Sequence, residues 1–344
     1  MPQVFLHYFS GTGNTRRAAL VAAQILRQSG LEAEVVNIEQ TRKFEVLEDL
    51  HIFLFPTYGF TTPQLMQKYL RALPKPAAGA RAAVIATIGT FAADAQGFEG
   101  NSLYTAARLL KKKGWHICLT EAISYPVNWT QFCNPPAQKN CEAIYAVADE
   151  KVRLTVKKIA AGEESFRDLS SAVDFYTRTA NLFFVHLGRL QLTKMFTADS
   201  SCNSCGKCAA ECPVKAISMK KGRPLWSSKC QVCQRCINSC PQNAIQTSIW
   251  RVAGAINLLF LPYIKWYAWL AGTLNLYLLT PGVSLDTAPD WGMKSVVFIV
   301  GYALAFLLLD RLLALLETTP GFNLLTGISF SKAFRRYLAP PPQG

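Results

Sequence analysis

Residues 4–15, VFLHYFSGTGNT, join a short apolar run to a loop of small polar residues. The run VFLHYF (4–9) has the length and hydrophobicity of a buried strand. The stretch RRAALVAAQILRQSG (16–30) carries apolar residues at helical spacing and stops at Gly30. The loop SGTGNT (10–15) therefore joins the carboxyl end of a strand to the amino end of a helix. Backbone N–H groups and the helix dipole attract anions at such a position.

The alternation of strand and helix continues through the first half of the chain. Further strands are predicted over residues 33–38, 51–56, 81–89 and 115–123, and helices over residues 103–113 and 138–162. This order predicts an α/β fold with a doubly wound parallel sheet. Ligands of such sheets bind outside the carboxyl ends of the strands, at the point where the strand order reverses.

The first loop has the composition of a phosphate site. Ser10, Thr12 and Thr15 add hydroxyl groups to the backbone donors of the loop. No lysine follows as it does in a Walker loop, so a nucleoside triphosphate with magnesium is disfavoured. We therefore expect a phosphate group of another ligand at this loop.

The first 160 residues or so resemble the flavodoxin family, whose phosphate loop for FMN is this kind of Ser/Thr-rich glycine turn. The resemblance implies that PTYGF (56–60) and TIGTF (87–91) clasp the flavin ring. Tyr58 is the first candidate for stacking on the ring and Phe91 the second, although both side chains also suit ordinary packing. The implied FMN-binding residues are Ser10, Gly11, Thr12, Gly13, Asn14, Thr15, Pro56, Thr57, Tyr58, Gly59, Phe60, Gly89, Thr90 and Phe91.

A cysteine pattern occurs twice, as CNSCGKCAAECP (202–213) and CQVCQRCINSCP (230–241), with an offset of 28 residues. The first three cysteines of each copy can wrap three corners of a cubane 4Fe–4S cluster, and the fourth ligates the other cluster. One predicted ligand set is Cys202, Cys205, Cys208 and Cys240. The other is Cys230, Cys233, Cys236 and Cys212. Zinc fits the crossed pattern poorly, and disulfides are disfavoured because the start of the sequence has no secretory signal.

The cysteine stretch is similar to the bacterial two-cluster ferredoxin domain over about residues 199–247. Its two copies continue as CPVKAI (212–217) and CPQNAI (240–245), so we expect Ile217 and Ile245 to cover the clusters. RPLW (223–226) is predicted to form the turn between the halves. Cys118, Cys133 and Cys141 lack ligand spacing and are interpreted as free thiols, and the four histidines as packing or surface residues.

The formal net charge is +14, and its surplus peaks around the cysteines, where residues 166–250 hold 11 basic and 4 acidic side chains. No motif supports nucleic-acid binding. Eight thiolates on two cluster cores carry a net charge of about −4. The expected compensating cations are Lys207, Lys215, Lys220, Lys221, Lys229 and Arg235. The same cations favour an acidic redox partner; an ordinary solvated basic face is the competing explanation.

The last part of the chain is hydrophobic. Residues 252–279 and 295–309 are each long enough to cross a bilayer, and the first also suits the membrane interface. The competing interpretation is a helical cap packed on the other domains. Arg251 precedes the first run, and Lys332, Arg335 and Arg336 follow the second. These basic flanks predict that the redox domains lie at the cytoplasmic face of the inner membrane. Asp310 and Arg311 form a membrane-buried pair or mark the edge of a span.

The predicted domains are a flavodoxin-like domain (1–165), a helical linker (166–198), a small α+β two-cluster ferredoxin domain (199–250) and a hydrophobic helical tail (251–344). Through about residue 247 the chain resembles flavodoxin–ferredoxin fusion proteins. The resemblance implies FMN, two 4Fe–4S clusters and electron transfer to a redox protein, a membrane complex or a quinone. The alternative is an FMN-dependent reductase of a small organic molecule, with Tyr58 or Tyr125 as proton donor. A third interpretation, an iron–sulfur sensor, leaves the phosphate loop unexplained.

Overall fold

The architecture comes from a computed structural model of the chain. It describes residues 3–40, 50–166, 177–179, 181–182, 184, 188–260, 291–317, 319 and 328–342.

The first domain contains one five-stranded sheet. Its strands are β1 (Gln3–Tyr8), β2 (Glu32–Asn37), β3 (Leu50–Pro56), β4 (Arg81–Thr90) and β5 (His116–Pro126). They pair in parallel in the order β2-β1-β3-β4-β5. This is the flavodoxin-like order, and it reverses between β1 and β3. The predicted doubly wound sheet is therefore confirmed, and its topology brings together the loops that follow β1 and β3.

Helices cover both faces of this sheet. They are α1 (Asn14–Gln28), α2 (Gln64–Ala72), α3 (Ser102–Lys111) and α4 (Gln138–Ala160). Successive side chains of a strand point to opposite faces. Ile52 and Leu54 of β3 accordingly join a buried cluster with α1 and α4, whereas Phe53 and Phe55 join one with α2 and α3. Both faces are buried, which explains why the strands are nearly continuous apolar runs.

The cysteine region folds around two short sheets. Its elements are α5 (Arg189–Lys194), β6 (Phe196–Ala198), α6 (Lys207–Ala210), β7 (Ile217–Lys220), β8 (Arg223–Trp226), α7 (Arg235–Ser239) and β9 (Ile245–Thr247). β6 pairs antiparallel with β9, and β7 pairs antiparallel with β8. The predicted linker overlaps α5 and β6, and its residues 167–176 lie outside the described residues.

The prediction of a turn at RPLW was wrong, because these residues form strand β8. The turn lies between β7 and β8, at Lys221 and Gly222, whose φ angles are 47° and 76°. Glycine adopts this left-handed conformation without steric cost, so Gly222 is the residue that permits the tight hairpin.

The repeat in the sequence is also a repeat in the backbone. Left-handed residues occur in three pairs, each 28 positions apart: Ser204 with Val232, Gly206 with Gln234, and Lys215 with Asn243. The helices α6 and α7 begin 28 positions apart as well. The two halves therefore wrap the chain around their cysteines in the same way.

Among the described residues, two α-helices follow the cysteine region, α8 (Ile249–Phe260) and α9 (Trp291–Glu317). They pack closely, because a side chain on Gly254 would overlap Leu309. Asp310 of α9 accepts a hydrogen bond from Arg251 at 3.0 Å and pairs with Lys194 at 2.9 Å. Arg311, its expected partner, is exposed. Asp310 therefore ties α9 to α8 and α5.

The predicted membrane spans are not supported. Most of the first run, its residues 261–279, lies outside the described residues. Across the described ranges, no helix combines the length and the hydrophobicity needed to cross a membrane.

Residues 328–342, here called the C-terminal strap, run back over both domains. The strap accepts a hydrogen bond from the β9 amide of Thr247 at Ser331 Oγ (2.9 Å). The N–H of Ala339 donates to the carbonyl of Thr12 in the first loop (2.8 Å). The strap thus connects the cysteine region to the loop after β1.

Candidate functional site: a cavity beside two cysteine cages

A cavity of about 390 Å³ opens at the carboxyl ends of the sheet strands. This volume is typical of small-molecule sites. The predicted flavin-binding residues that line it are Ser10, Gly11, Thr12, Asn14, Thr15, Pro56, Thr57, Tyr58, Gly59, Phe60 and Gly89. Gly13, Thr90 and Phe91 lie outside its lining; Thr90 Oγ1 donates instead to the carbonyls of Ala92 and Ala95, both at 3.0 Å. The loops after β1 and β3 therefore meet at one cavity.

One end of the cavity has the features of an anion site. Helix α1 starts after Gly13, whose φ is 105°, and no side chain among the described residues caps its first turn. The amide of Gly13 donates to Ser10 Oγ at 3.0 Å, and the hydroxyls of Thr15 and Thr87 lie 2.7 Å apart. The described lining contains no charged side chain. An anion at this end would therefore be held by N–H groups, hydroxyls and the helix dipole.

The other end of the cavity is aromatic. Phe60, Phe98 and Trp129 line it and are 47%, 54% and 42% exposed. The rings of Phe60 and Phe98 lie 5.5 Å apart. Gly59 has a φ of 55°, and any side chain there would overlap the ring of Phe184. This end has the shape and the apolar character that suit a planar ring.

Tyr58 and Phe91 occupy different environments. Burial, followed by the thiolate of Cys233, raises the pKa of Tyr58 well above its usual value, so the phenol is neutral at ordinary pH. Its ring meets Phe9 edge-on at 6.2 Å. Phe91 is 56% exposed and does not line the cavity, so the aromatic mouth is formed by Phe98 and Trp129 instead.

Tyr125 is not a proton donor at the cavity, as the sequence had suggested. Its hydroxyl donates to Asp149 Oδ1 at 2.9 Å, and its ring is fully buried in the core with α1 and α4. It lies outside the cavity lining. Of the two sequence candidates, only Tyr58 reaches the cavity.

The eight repeat cysteines surround two smaller cavities in the crossed arrangement. Cys202, Cys205, Cys208 and Cys240 line one of them, here called cage A. Cys212, Cys230, Cys233 and Cys236 line the other, here called cage B, which Cys208 also reaches. Ile245 lies at cage A and Ile217 at cage B, as the repeat predicted. Among the described residues, no three His, Cys, Asp or Glu side chains converge on a single metal ion.

The cages are built for thiolates. Backbone N–H groups donate to the sulfurs of Cys212, Cys230 and Cys240 at 3.2–3.3 Å. Burial, followed by neighbouring sulfur charges, raises the pKa of Cys233 to about 12. Burial likewise raises that of Cys208 to about 11. Holding these groups ionised requires positive charge inside the cage, which an iron–sulfur core supplies.

Cage B lies directly against the anion end of the large cavity. A Cβ atom built on Gly11 would lie 2.2 Å from the carbonyl oxygen of Cys233 and 2.6 Å from the Tyr58 hydroxyl. Gln231, Val232 and Gln234 of the cysteine region line the large cavity itself. The two sites therefore share a wall made of the loop after β1 and the loop around Cys233.

Arg235 fastens this shared wall. Its guanidinium donates to the carbonyls of Gly11 (3.1 Å) and Ser10 (2.5 Å), and it binds both carboxylate oxygens of Glu39 at 2.5–2.6 Å. Burial alone would lower the pKa of Arg235, but the Glu39 carboxylate raises it above its usual value. The five lysines predicted to offset the cluster charge are all exposed.

Fold and sites together define a class. The chain joins a flavodoxin-like α/β domain to a ferredoxin-type 4Fe–4S domain. The family model described as "4Fe-4S dicluster domain" matches residues 201–245.

Solved structures in the comparison match about half of this chain. An archaeal flavodoxin is 14% identical and covers 45% of this chain and 99% of its own, with a TM-score of 0.30. A Fusobacterium nucleatum flavodoxin bound to flavin mononucleotide is 14% identical and covers 48% and 100%, with a TM-score of 0.34. A putative quinone reductase from Klebsiella pneumoniae is 14% identical and covers 50% and 93%, with a TM-score of 0.32. No curated protein matches the chain.

Proposed function

We propose that this protein is an electron-transfer flavo-iron–sulfur protein that binds FMN in the large cavity and one 4Fe–4S cluster in each cysteine cage. The observation that carries the proposal is the shared wall, where the Cys233 carbonyl packs on Gly11 without room for a side chain. FMN can take up two electrons and release them singly, whereas each cluster carries one.

The residues present fit these groups. The Ser10–Thr15 loop would hold the phosphate of FMN at the uncapped start of α1. Tyr58, Gly59 and Trp129 would hold the flavin ring at the aromatic end. The all-thiolate donors of the two cages suit 4Fe–4S clusters. Cage B adjoins the cavity, so its cluster would be the one nearest the flavin, with cage A beyond it.

Cofactor analysis tests the proposal directly. The protein is purified anaerobically with detergent, and its iron, sulfide, zinc and flavin are measured. We expect about eight irons, about eight sulfides and one FMN per chain. Zinc in place of iron, or protein that neither retains nor takes up FMN, would overturn the proposal.

A second candidate function is the reduction of a small organic molecule at the flavin. The exposed aromatic mouth formed by Phe60, Phe98 and Trp129 favours it, because a planar substrate could enter there. Turnover separates the two functions. A carrier reduces redox proteins and dyes without selectivity for a small molecule, whereas an enzyme consumes one small substrate selectively.

We also propose that the protein works at the cytoplasmic face of a membrane, where it meets an acidic redox protein, a membrane complex or a quinone. Support comes from α9, on which Val300, Leu304, Leu308 and Leu312 are exposed at intervals of four residues. Residues at this spacing share one helix face. Flotation with anionic lipid vesicles tests this, with Leu304→Glu/Leu308→Glu as the comparison. Association of wild type, weakened in the variant, is expected; equal flotation of both, or of neither, would contradict the role of this face.

A further inference from the structure

Two arginines from outside the cysteine repeat bind backbone carbonyls of the loops that form the cages. Arg336 belongs to the C-terminal strap, and its Nη2 donates to the carbonyls of Asn243 (3.2 Å) and Ile245 (3.1 Å). Ile245 lines cage A, and Asn243 lies three residues after the ligand Cys240. Arg336 is therefore held at the edge of cage A by carbonyls of the loop that forms it.

Arg189 is placed in the same way at cage B. It is the first residue of α5, before the repeat begins. Its Nη1 donates to the carbonyls of Ser228 and Cys230, both at 2.6 Å. Cys230 is one of the four sulfurs of that cage. Each cage loop thus binds one arginine from outside the repeat through two carbonyls. Within the repeat, Arg235 also lines cage B.

Both guanidinium groups keep buried N–H donors without an acceptor in the described part of the protein. These are Nε and Nη1 of Arg336 and Nε of Arg189. Buried donors without partners are rare, because leaving them unpaired is unfavourable. The orphaned donors therefore point to an acceptor at each site that the described residues do not supply.

Charge identifies the acceptor. Arg189 binds the carbonyl of the predicted ligand Cys230, and Arg336 binds the loop that follows the predicted ligand Cys240. Arginine stays protonated at any ordinary pH. A 4Fe–4S cluster with four thiolates is an anion whose sulfurs accept N–H hydrogen bonds, and its reduction adds one further negative charge.

We propose that Arg336 and Arg189 are positioning residues, each of which donates an N–H group to the cluster of one cage and raises the reduction potential of that cluster. The inference rests on the proposed function, because it requires a cluster in each cage. Arg336 acts on cage A and Arg189 on cage B. A fixed cation stabilises the reduced cluster more than the oxidised one, since the reduced cluster carries the larger negative charge.

The test is an anaerobic redox titration of the loaded protein, followed by electron paramagnetic resonance of the reduced clusters. Arg336→Gln is expected to lower the reduced-to-oxidised ratio of one cluster about tenfold at a fixed potential, a shift of about 59 mV for a one-electron couple. Arg189→Gln is expected to shift the other cluster by a similar factor. The double variant should shift both.

Matched variants separate charge from structure. Arg335→Gln is the control, because Arg335 is exposed and its guanidinium donates to Pro135 in the loop between β5 and α4. It is expected to leave both potentials unchanged. Arg336→Lys keeps the charge and is expected to stay within about threefold of wild type. A lysine variant shifted as far as the glutamine variant would refute the electrostatic role.

The outcomes distinguish this inference from the proposed function. Wild-type protein without iron would refute the function. Arg336→Gln and Arg189→Gln proteins that hold about eight irons with wild-type potentials would refute only the roles of the arginines. Shifts of the same cluster by both variants would also refute the assignment of one arginine to each cage. Should one glutamine variant fail to fold, the variant at the other cage still decides the question.

Discussion

Gly11 should be the position at which a single methyl group separates the two redox sites. Its backbone is not left-handed, so alanine there brings no conformational strain of its own. The new Cβ would lie 2.2 Å from the Cys233 carbonyl oxygen, a backbone atom that cannot rotate away. To reach 3.0 Å, the loop around Cys233 must withdraw from the cavity by at least about 0.8 Å.

Overpacking of this kind costs about 1–3 kcal/mol. We therefore expect Gly11→Ala to lower the free energy of unfolding by about 2 kcal/mol in urea titration, and to slow electron transfer between the flavin and the clusters. Transfer is measured by stopped-flow absorbance after anaerobic mixing with a limiting reductant. The control is Gly188→Ala, whose Cβ would meet Phe184 at an ordinary 3.5 Å. A Gly11→Ala protein with wild-type stability and wild-type transfer would refute the shared wall.

Three further predictions concern the stability of the fold. Arg235→Gln breaks the largely buried pair with Glu39 and both bonds to the first loop, and should cost about 3 kcal/mol in urea titration; wild-type stability would contradict this. Asp310→Asn should lower the free energy of unfolding by a similar amount, because it removes the buried carboxylate that pairs with Arg251 and Lys194. The neighbouring control Arg311→Gln should change it by less than about 0.5 kcal/mol. Burial, followed by the neighbouring His51, lowers the pKa of His7 in the folded protein well below 6.5. As pH falls, His7 therefore takes up a proton in the unfolded chain before it does so in the folded protein. The free energy of unfolding should accordingly fall as pH drops below about 6.5. His7→Asn should flatten that part of the stability profile, and an unchanged slope would exclude His7 as its source.

The sequence was most informative where the physical signal is local. Apolar runs of strand length, a glycine-rich loop and a helix with an apolar face predict β1, the loop over 10–15 and α1 within two residues of their observed bounds. The cysteine spacing is equally local, because three ligands of each cage come from a single tight loop. These features needed no information from distant parts of the chain.

Strand β5 is longer than the local sequence signals predict. The prediction ended it at residue 123, because SYP reads as a loop. In the structure Ser124, Tyr125 and Pro126 pair with the end of β4, and this extension delivers Asn128 and Trp129 to the cavity. Only the partner strand provides a reason for the extra length, so Trp129 was not among the predicted flavin-binding residues.

The shared wall and the strap lay beyond the reach of the sequence for the same reason. Arg235 contacts Ser10 across 225 positions, and Tyr337 contacts Asn14 across 323. Arg335 and Arg336 were interpreted as the basic flank of a membrane span, yet they bind carbonyls of the first domain and of the cysteine region. Long-range polar contacts leave no periodic pattern, so only the folded chain reveals them.

The most direct test of the whole account is the kinetic order of electron transfer between the clusters and the flavin in protein loaded with both. If the two sites share a wall within one chain, the rate constant of flavin reduction by the clusters should not change when the protein is diluted tenfold. A rate that falls in proportion to protein concentration would mean that electrons pass between molecules, and it would contradict the central claim that this chain joins the two centres.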